Sequence, residues 1–385
     1  MRIMHVITRM ILGGAQENTM LCCDDLRRTF GDDVLLLTGP TTGPEGNLMD
    51  EVAGRGIPFR ILPELQRAIQ PWQDWQAWRR LVGEIAAFQP EVVHTHSAKA
   101  GILGRLAAHA AQTPVIVHTV HGAPFHEYQG RGGRALVRWC ERLAARRCHA
   151  LISVADALTE RLVQAGVAEA EKFTTIYSGM ELEPFLTAEP WREQMRAEWG
   201  FGPEQIVVGK VARLFPLKGH EFLIEAARAV VSAEPRVHFV LVGDGILRHQ
   251  LRDRIEQLGL SSHFHLAGLV PRSQIAACFA AMDVVVHTSL REGLARALPQ
   301  AMLCGKPVVS FDVDGAREVV ETDVTGILVP PGDLPRLQAA LLRVIRDPAW
   351  RQACGLRGRE RCRQLFPHDR MTARIRELYL QLAGR

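Results

Sequence analysis

Short apolar runs recur along the chain, with amphipathic stretches between them. Ile3–Thr8, Val34–Thr38, Phe59–Leu62, Val92–His96, Val115–Thr119, Leu151–Val154 and Phe173–Tyr177 are rich in β-branched and aromatic residues and read as strands. Ala15–Phe30, Trp75–Phe88 and Ala100–Ala111 carry apolar residues at helical spacing. Strands alternating with helices predict a parallel sheet covered on both faces. A second series runs through strand Ile206–Ala212, a helix ending near Val231, strand Val237–Val242, helix Leu247–Leu258 and strand Phe264–Leu266. It continues into Met282–Phe311, which opens on strand Asp283–His287 and closes on strand Pro307–Phe311. The helix between these two starts close to Pro299, because proline fits only a first turn. It ends at Gly305, where a left-handed cap is needed and Pro307 forbids continuation.

At 385 residues the chain is too long for one core. The expected fold is α/β, two Rossmann-like domains facing a cleft. The expected boundaries are 1–180 and 203–365. Residues 181–202, with Pro184 and Pro190, read as a linker. Arg370–Leu382, within a tail of about 366–385, is helical in pattern. Trp72, Trp75 and Trp78 are expected to pack their helix.

With 47% apolar and 23% charged residues, the composition is that of an ordinary folded protein. A net charge of +4 suits nucleotide, phosphate or anionic membrane partners without selecting one, and nothing points to nucleic acid. The eight cysteines form no CxxC pair and read as reduced thiols, without structural zinc. The start, MRIMHVIT, runs straight into a strand, and no apolar segment approaches the ~20 residues that cross a bilayer. A cytoplasmic protein with, at most, peripheral membrane contact is expected.

Candidate chemistry changes this picture most. Glu292-Gly293-Leu294 sits in the loop after strand Asp283–His287, and Gln300 early in the following helix. Such a place, at the carboxyl end of a parallel strand, binds phosphorylated ligands. With Cys304-Gly305-Lys306-Pro307 behind them, these residues resemble the Glu-x7-Glu signature of retaining GT-B glycosyltransferases of family 4. The resemblance implies that Glu292 contacts the transferred sugar and that position 300 binds the ribose. Gln300 departs from the family's glutamate there, and an amide can still donate and accept.

Further motifs follow in the family's order. Gly13-Gly14-Ala15-Gln16 lets backbone approach a ligand closely, or is simply a tight turn; it resembles a Gly-Gly-x-Glu loop against the donor diphosphate, with Gln16 for Glu. It is not Gly-x-Gly-x-x-Gly, which weakens a dinucleotide oxidoreductase reading. Gly209-Lys210-Val211-Ala212-Arg213-Leu214 and Pro216-Leu217-Lys218-Gly219 put two cations before a helix, and the resemblance gives Arg213 and Lys218 the two phosphates. Gly268-Leu269-Val270-Pro271 borders the base by the same resemblance; Asp244 reads as a helix cap.

His94, His96, His118, His121 and His126 cluster in sequence. Without paired carboxylates they read as structural and not as metal ligands. His121-Gly122 resembles the family's histidine at the transferred sugar. Arg134, Arg138, Arg142 and Arg146 recur every four residues: a solvated helix face, or one that meets anionic lipid.

The expected function is sugar transfer from a nucleotide-diphospho-sugar, a UDP-sugar first, to a carbohydrate or lipid-linked acceptor in cell-surface polysaccharide assembly. No metal and no cofactor beyond that donor are implied. The alternative is a sugar-nucleotide-binding protein without catalysis.

Overall fold

The computed structural model describes residues 1–41, 46–125 and 130–385. The chain divides into two compact units: Met1–Met180 with Pro367–Arg385, and Glu181–Phe366.

The first unit alternates strand and helix as β1 (Arg2–Ile7), α1 (Gly14–Arg28), β2 (Asp33–Thr38), α2 (Met49–Gly54), β3 (Phe59–Ile61), α3 (Pro71–Phe88) and β4 (Val92–His96). It continues as α4 (Ala98–Ala110), β5 (Val115–Val120), α5 (Arg131–Ala145), β6 (Ala150–Ser153), α6 (Asp156–Gln164) and β7 (Phe173–Thr175). The second holds α7 (Glu183–Leu186), α8 (Arg192–Glu198), β8 (Ile206–Val211), α9 (His220–Ala233), β9 (Val237–Val242), α10 (Arg248–Gln257) and β10 (Phe264–Gly268). Then come α11 (Ile275–Ala281), β11 (Val284–His287), α12 (Ala297–Leu303), β12 (Val308–Phe311), α13 (Ala316–Val319), β13 (Gly326–Val329), α14 (Leu334–Arg346) and α15 (Pro348–Leu365). The last helix, α16 (His368–Leu382), returns to the first unit.

Both sheets are parallel. Strand order is β3-β2-β1-β4-β5-β6-β7 in the first and β10-β9-β8-β11-β12-β13 in the second. Each reverses direction of growth once, between β1 and β4 and between β8 and β11. At such switch points adjacent loops part and leave a crevice for ligands at the carboxyl ends.

Right-handed crossovers oblige helices to cover the sheet, so most strands are buried on both faces and largely apolar, with β4 and its histidines an exception. Ile3, Ile7, Leu36, Val92 and Val117 form the first core, which α16 completes with Met371, Ile375 and Tyr379. Polar contacts fasten that helix: Thr372 Oγ1 donates to Asp25 across 2.7 Å, and Arg376 pairs with Asp32 at 2.8 Å. Val208, Leu241, Val286, Val309, Phe311 and Leu337 lead the second core. Each aliphatic side chain so buried contributes roughly 1.5–3 kcal/mol. Gly305 ends the α12 turn at φ 71°, as its sequence context predicts.

Residues 181–202, expected as a linker, hold short helices at Glu183–Leu186, Glu189–Trp191 and Arg192–Glu198 and belong to the second unit. Pro184 and Pro190 occupy first turns, where proline starts a helix and does not break it. Arg192 and Arg196 then bind this stretch to the second sheet through Asp283, at 2.5 and 3.2 Å. Two of the three tryptophans, Trp72 and Trp75, also differ from expectation. Trp72 and Trp75 stack on each other at 4.9 Å and are 68% and 42% exposed, outside the core.

Candidate active site

At the switch point of the second sheet, β8 delivers the loop Arg213–Gly219 and β11 delivers Thr288–Arg296. The first loop is tightly wound. Leu217 has φ 69° and Gly219 φ 66°, and a Cβ on Gly219 would lie 1.9 Å from the Thr288 carbonyl oxygen. A side chain at 219 would therefore push the two loops apart. A leucine in left-handed backbone is rare and persists only where surroundings force it. Here Leu217 accepts from Leu290 N–H at 2.9 Å, which ties the loops together.

That closeness brings Lys218 to Glu292. Lys218 Nζ donates to Glu292 Oε1 across 2.5 Å, and His287 Nε2 lies 3.4 Å from the same oxygen. Asp314 fixes the backbone, accepting from Glu292 N–H at 2.7 Å. Burial works against the charge on Glu292, yet Lys218 and His287 overcome it and hold the carboxyl well below the usual carboxylate range. Beneath them Lys210 is fully buried and donates to Thr288 Oγ1 at 3.0 Å. Burial, aided by Lys218, draws its ammonium down to about 7. Lys210, His287, Thr288 and Asp314 were not singled out as site residues from the sequence. The available signal was polar side chains inside or ending apolar strands, as in the run Val284-Val285-Val286-His287.

Arg213 stands on the same loop as Lys218, its guanidinium 5.1 Å over the Phe215 ring. Its carbonyl accepts from His220 Nε2 at 3.0 Å, at the start of α9. Gly293 and Leu294 are buried beside Glu292, and Gln300 is the fourth residue of α12. Val270 follows β10 in the neighbouring loop. The structure therefore joins Lys218 to Glu292 directly, keeps Arg213 on the loop of Lys218, and leaves Gln300 and Val270 on flanking segments.

At the first unit's switch point, Gly13 precedes α1. A Cβ there would come 2.7 Å from Gln16 Oε1, so the glycine makes room for that amide. Thr8 and Ser97 hydroxyls meet at 2.7 Å between the ends of β1 and β4. His94 and His96 share one face of β4, their rings 4.2 Å apart, while His118 turns to the other face and bonds Thr95. His5, His94 and His96 bring ring nitrogens within 4.8 Å. Those nitrogens are largely engaged already. His94 meets Tyr379 Oη and Thr119 Oγ1, and His96 meets His5 at 3.0 Å and His121 at 3.1 Å. His126 lies outside the described residues.

On α5, Arg138 and Arg142 donate to the carbonyls of Ala165 and Gly166 at 2.6 Å each, at the end of α6. Half of the predicted arginine stripe is thus helix-capping. Leu136 and Trp139 on the same helix are each 59% exposed. No helix among the described residues is long and apolar enough to cross a membrane. The cysteines are all unpaired.

Two family models match, one to each unit: a glycosyl transferase 4-like domain over residues 13–179, and glycosyl transferases group 1 over residues 192–361. The chain is a glycosyltransferase of GT-B fold. Among its relatives, the Escherichia coli UDP-Gal:alpha-D-GlcNAc-diphosphoundecaprenol alpha-1,3-galactosyltransferase is 29% identical, spanning 90% of this chain and 88% of that protein. The GDP-mannose-dependent alpha-mannosyltransferase of Mycolicibacterium smegmatis is 28% identical, over 83% of this chain and 81% of its own. Among solved structures, Anabaena HepE in complex with UDP superposes with a TM-score of 0.82 at 26% identity, covering 98% of this chain and 99% of that one. The non-catalytic reading is not favoured, since these relatives are transferases.

Proposed function

We propose that this glycosyltransferase is a retaining, metal-independent enzyme of family 4 that moves a sugar from a UDP-sugar to a carbohydrate or lipid-linked acceptor in cell-surface polysaccharide assembly. The observation that carries the reading is the Lys218–Glu292 contact at the switch point of the second sheet. A cation suited to a diphosphate beside a carboxylate suited to sugar hydroxyls supports this reading. Arg213 and Lys218 neutralise the departing diphosphate, with the first turn of α9 beside them. Glu292 and His121 hold the sugar, Gln300 the ribose, and the backbone around Val270 the base. Gly13, Gly14 and Gln16 approach the diphosphate. Two comparisons favour a UDP-sugar and a polyprenyl-linked acceptor: HepE is seen with UDP, and the E. coli relative acts on a diphosphoundecaprenol substrate.

The test is a panel of UDP- and GDP-sugars offered with and without a polyprenyl-diphosphate sugar, in excess EDTA, with NMR of the product's anomeric proton. Transfer from a UDP-sugar with the donor's anomeric configuration kept is expected. An inverted product, or full dependence on added metal, would overturn the mechanism; preference for GDP-sugars would overturn the donor.

A further inference from the structure

The histidines of the first unit form a directed chain. His5 Nδ1 and His96 Nε2 are 3.0 Å apart, and His96 Nδ1 and His121 Nε2 are 3.1 Å apart. The His5 and His96 rings are 12° from coplanar with centroids at 5.2 Å; those of His96 and His121 are 27° and 5.4 Å. Each centroid distance exceeds its nitrogen separation by about two ring radii, so the rings meet edge to edge. Lone pair then faces N–H along one line. A zinc ion between two such nitrogens would need about 2.0–2.1 Å to each, more than the 3.0 Å gap between His5 and His96 allows.

A neutral imidazole has one donor and one acceptor nitrogen, so a chain of three runs in one of two directions. The far end decides between them. His5 is fully buried, and its Nε2 has no hydrogen-bond partner among the described residues. An N–H stranded there is the costlier choice, since orphaned buried donors are rarer than under-satisfied acceptors. The bare nitrogen therefore belongs at His5 Nε2. His5 Nδ1–H then donates to His96 Nε2, His96 Nδ1–H donates to His121 Nε2, and the His121 proton falls on Nδ1. Burial also keeps His5 and His96 uncharged, both far below the ordinary histidine value.

We propose that His5 and His96 are positioning residues for His121: they fix its ring in the Nδ1–H tautomer and commit Nε2 as an acceptor. This rests on the reading in which His121 meets the transferred sugar. The consequence is that the proton of His121 is placed on Nδ1, in a ring of defined orientation, by groups the substrate never touches.

Long-range 1H–15N correlation spectra of the full chain, labelled at histidine, read each tautomer without any donor present. The expected result is Nδ1–H on His5, His96 and His121. Nε2–H on His121 would overturn the proposal, whatever the variants do. His5→Asp places an acceptor-only group at the head of the chain. It should reverse the whole series, moving the His121 proton to Nε2 and lowering turnover about tenfold or more, with little change in donor KM. His96→Leu, should the aspartate prevent folding, is expected to leave His121 in mixed tautomers with a similar loss of turnover. A reversed or mixed tautomer with turnover unchanged would overturn the positioning role. Full turnover in His121→Ala would instead remove the sugar-site reading. The tautomer signals tell that failure from failure of the chain itself.

Discussion

Lys218 and Glu292 are partners across 2.5 Å, a cation from the β8–α9 loop and a carboxylate from the β11–α12 loop. On the proposed reading, a diphosphate arriving at Lys218 would compete with Glu292, and a sugar arriving at Glu292 would compete with Lys218. Donor binding is thus expected to exchange one internal ion pair for two contacts to substrate. His287, with Nε2 3.4 Å from the same carboxylate oxygen, remains to hold Glu292 once Lys218 turns away.

The two substitutions of this pair should differ in kind. Lys218→Ala removes a charge-assisted bond to phosphate, which costs about 1.5–3 kcal/mol, or roughly ten- to a hundredfold in UDP affinity. Glu292→Gln frees Lys218 for phosphate, so UDP should bind as well or better, while turnover falls steeply as the sugar loses its carboxylate. Calorimetry with UDP and steady-state kinetics on both variants check this. UDP binding by Lys218→Ala equal to the parent would sink the phosphate assignment.

Gln300 gives a separate prediction, because its proposed contact is to ribose and not to the bond being broken. Such a contact holds ground and transition states alike, so it belongs to KM and not to kcat. Gln300→Ala should raise the donor KM several-fold at nearly constant kcat. Gln300→Glu, which restores a carboxylate for the ribose diol, should change KM and leave kcat within about twofold. A kcat rise of orders of magnitude in Gln300→Glu would place the residue in the chemistry.

The ease with which the two sheets could be read, and the difficulty of the site, have one physical source. Buried parallel strands are rich in β-branched and apolar residues, so Val237–Val242 announces itself with the bounds it has in the fold; Val92–His96 does so too, although His94, Thr95 and His96 are polar. β13, only Gly-Ile-Leu-Val, is too short to stand out, and its pairing with β12 is what makes it a strand. Residues 181–202 misled because proline both breaks helices and begins them, and only the arginines reaching Asp283 decide which. For the candidate site, Glu292 and Lys218 were legible as candidates from motif order. Their contact was not, since it depends on two loops 74 residues apart closing over Gly219. The His5–His96–His121 chain was equally hidden: strand alternation puts His94 and His96 on one face and says nothing of a residue on β1.

Exposed Leu136 and Trp139 make α5 the candidate for peripheral contact with anionic membrane. Arg138 and Arg142 are committed to the end of α6, so the apolar pair should matter more than these two charges. Trp139→Gln with Leu136→Gln is expected to weaken vesicle binding by about tenfold or more, each lost burial being worth roughly 1.5–3 kcal/mol. Donor affinity should not move. Binding should also weaken with salt, as residual arginine charges are screened over ~8 Å at physiological ionic strength. Co-sedimentation with phosphatidylglycerol vesicles measures both. A parent protein that ignores such vesicles at low salt would leave α5 a plain solvated helix.

The last expectation concerns pH, and several buried bases set its sign. His5 and His220 titrate at about 3 in the folded chain, against an ordinary 6.5, because burial disfavours their charge. His94, His96 and His118 are likewise lowered by burial. Between the folded and unfolded values the unfolded chain binds more protons, so stability rises with pH there. Descending from about 6.5 toward 3, the protein should therefore lose stability steadily. Glu292, held below its ordinary 4.5, adds to the loss as pH falls through that value. Lys210 acts higher, at about 7 folded against 10.5 ordinarily, so its own contribution climbs between those two values, opposed from about 9 upward by the buried cysteine thiols, which burial raises above their ordinary value. Urea midpoints at intervals from pH 4 to 10 trace the curve. Lys210→Met should flatten the alkaline climb, and should ease the acid limb slightly, because it removes a charge that helps burial keep His220 low. An alkaline limb untouched by that substitution would mean that the buried ammonium at 210 is not what shapes it.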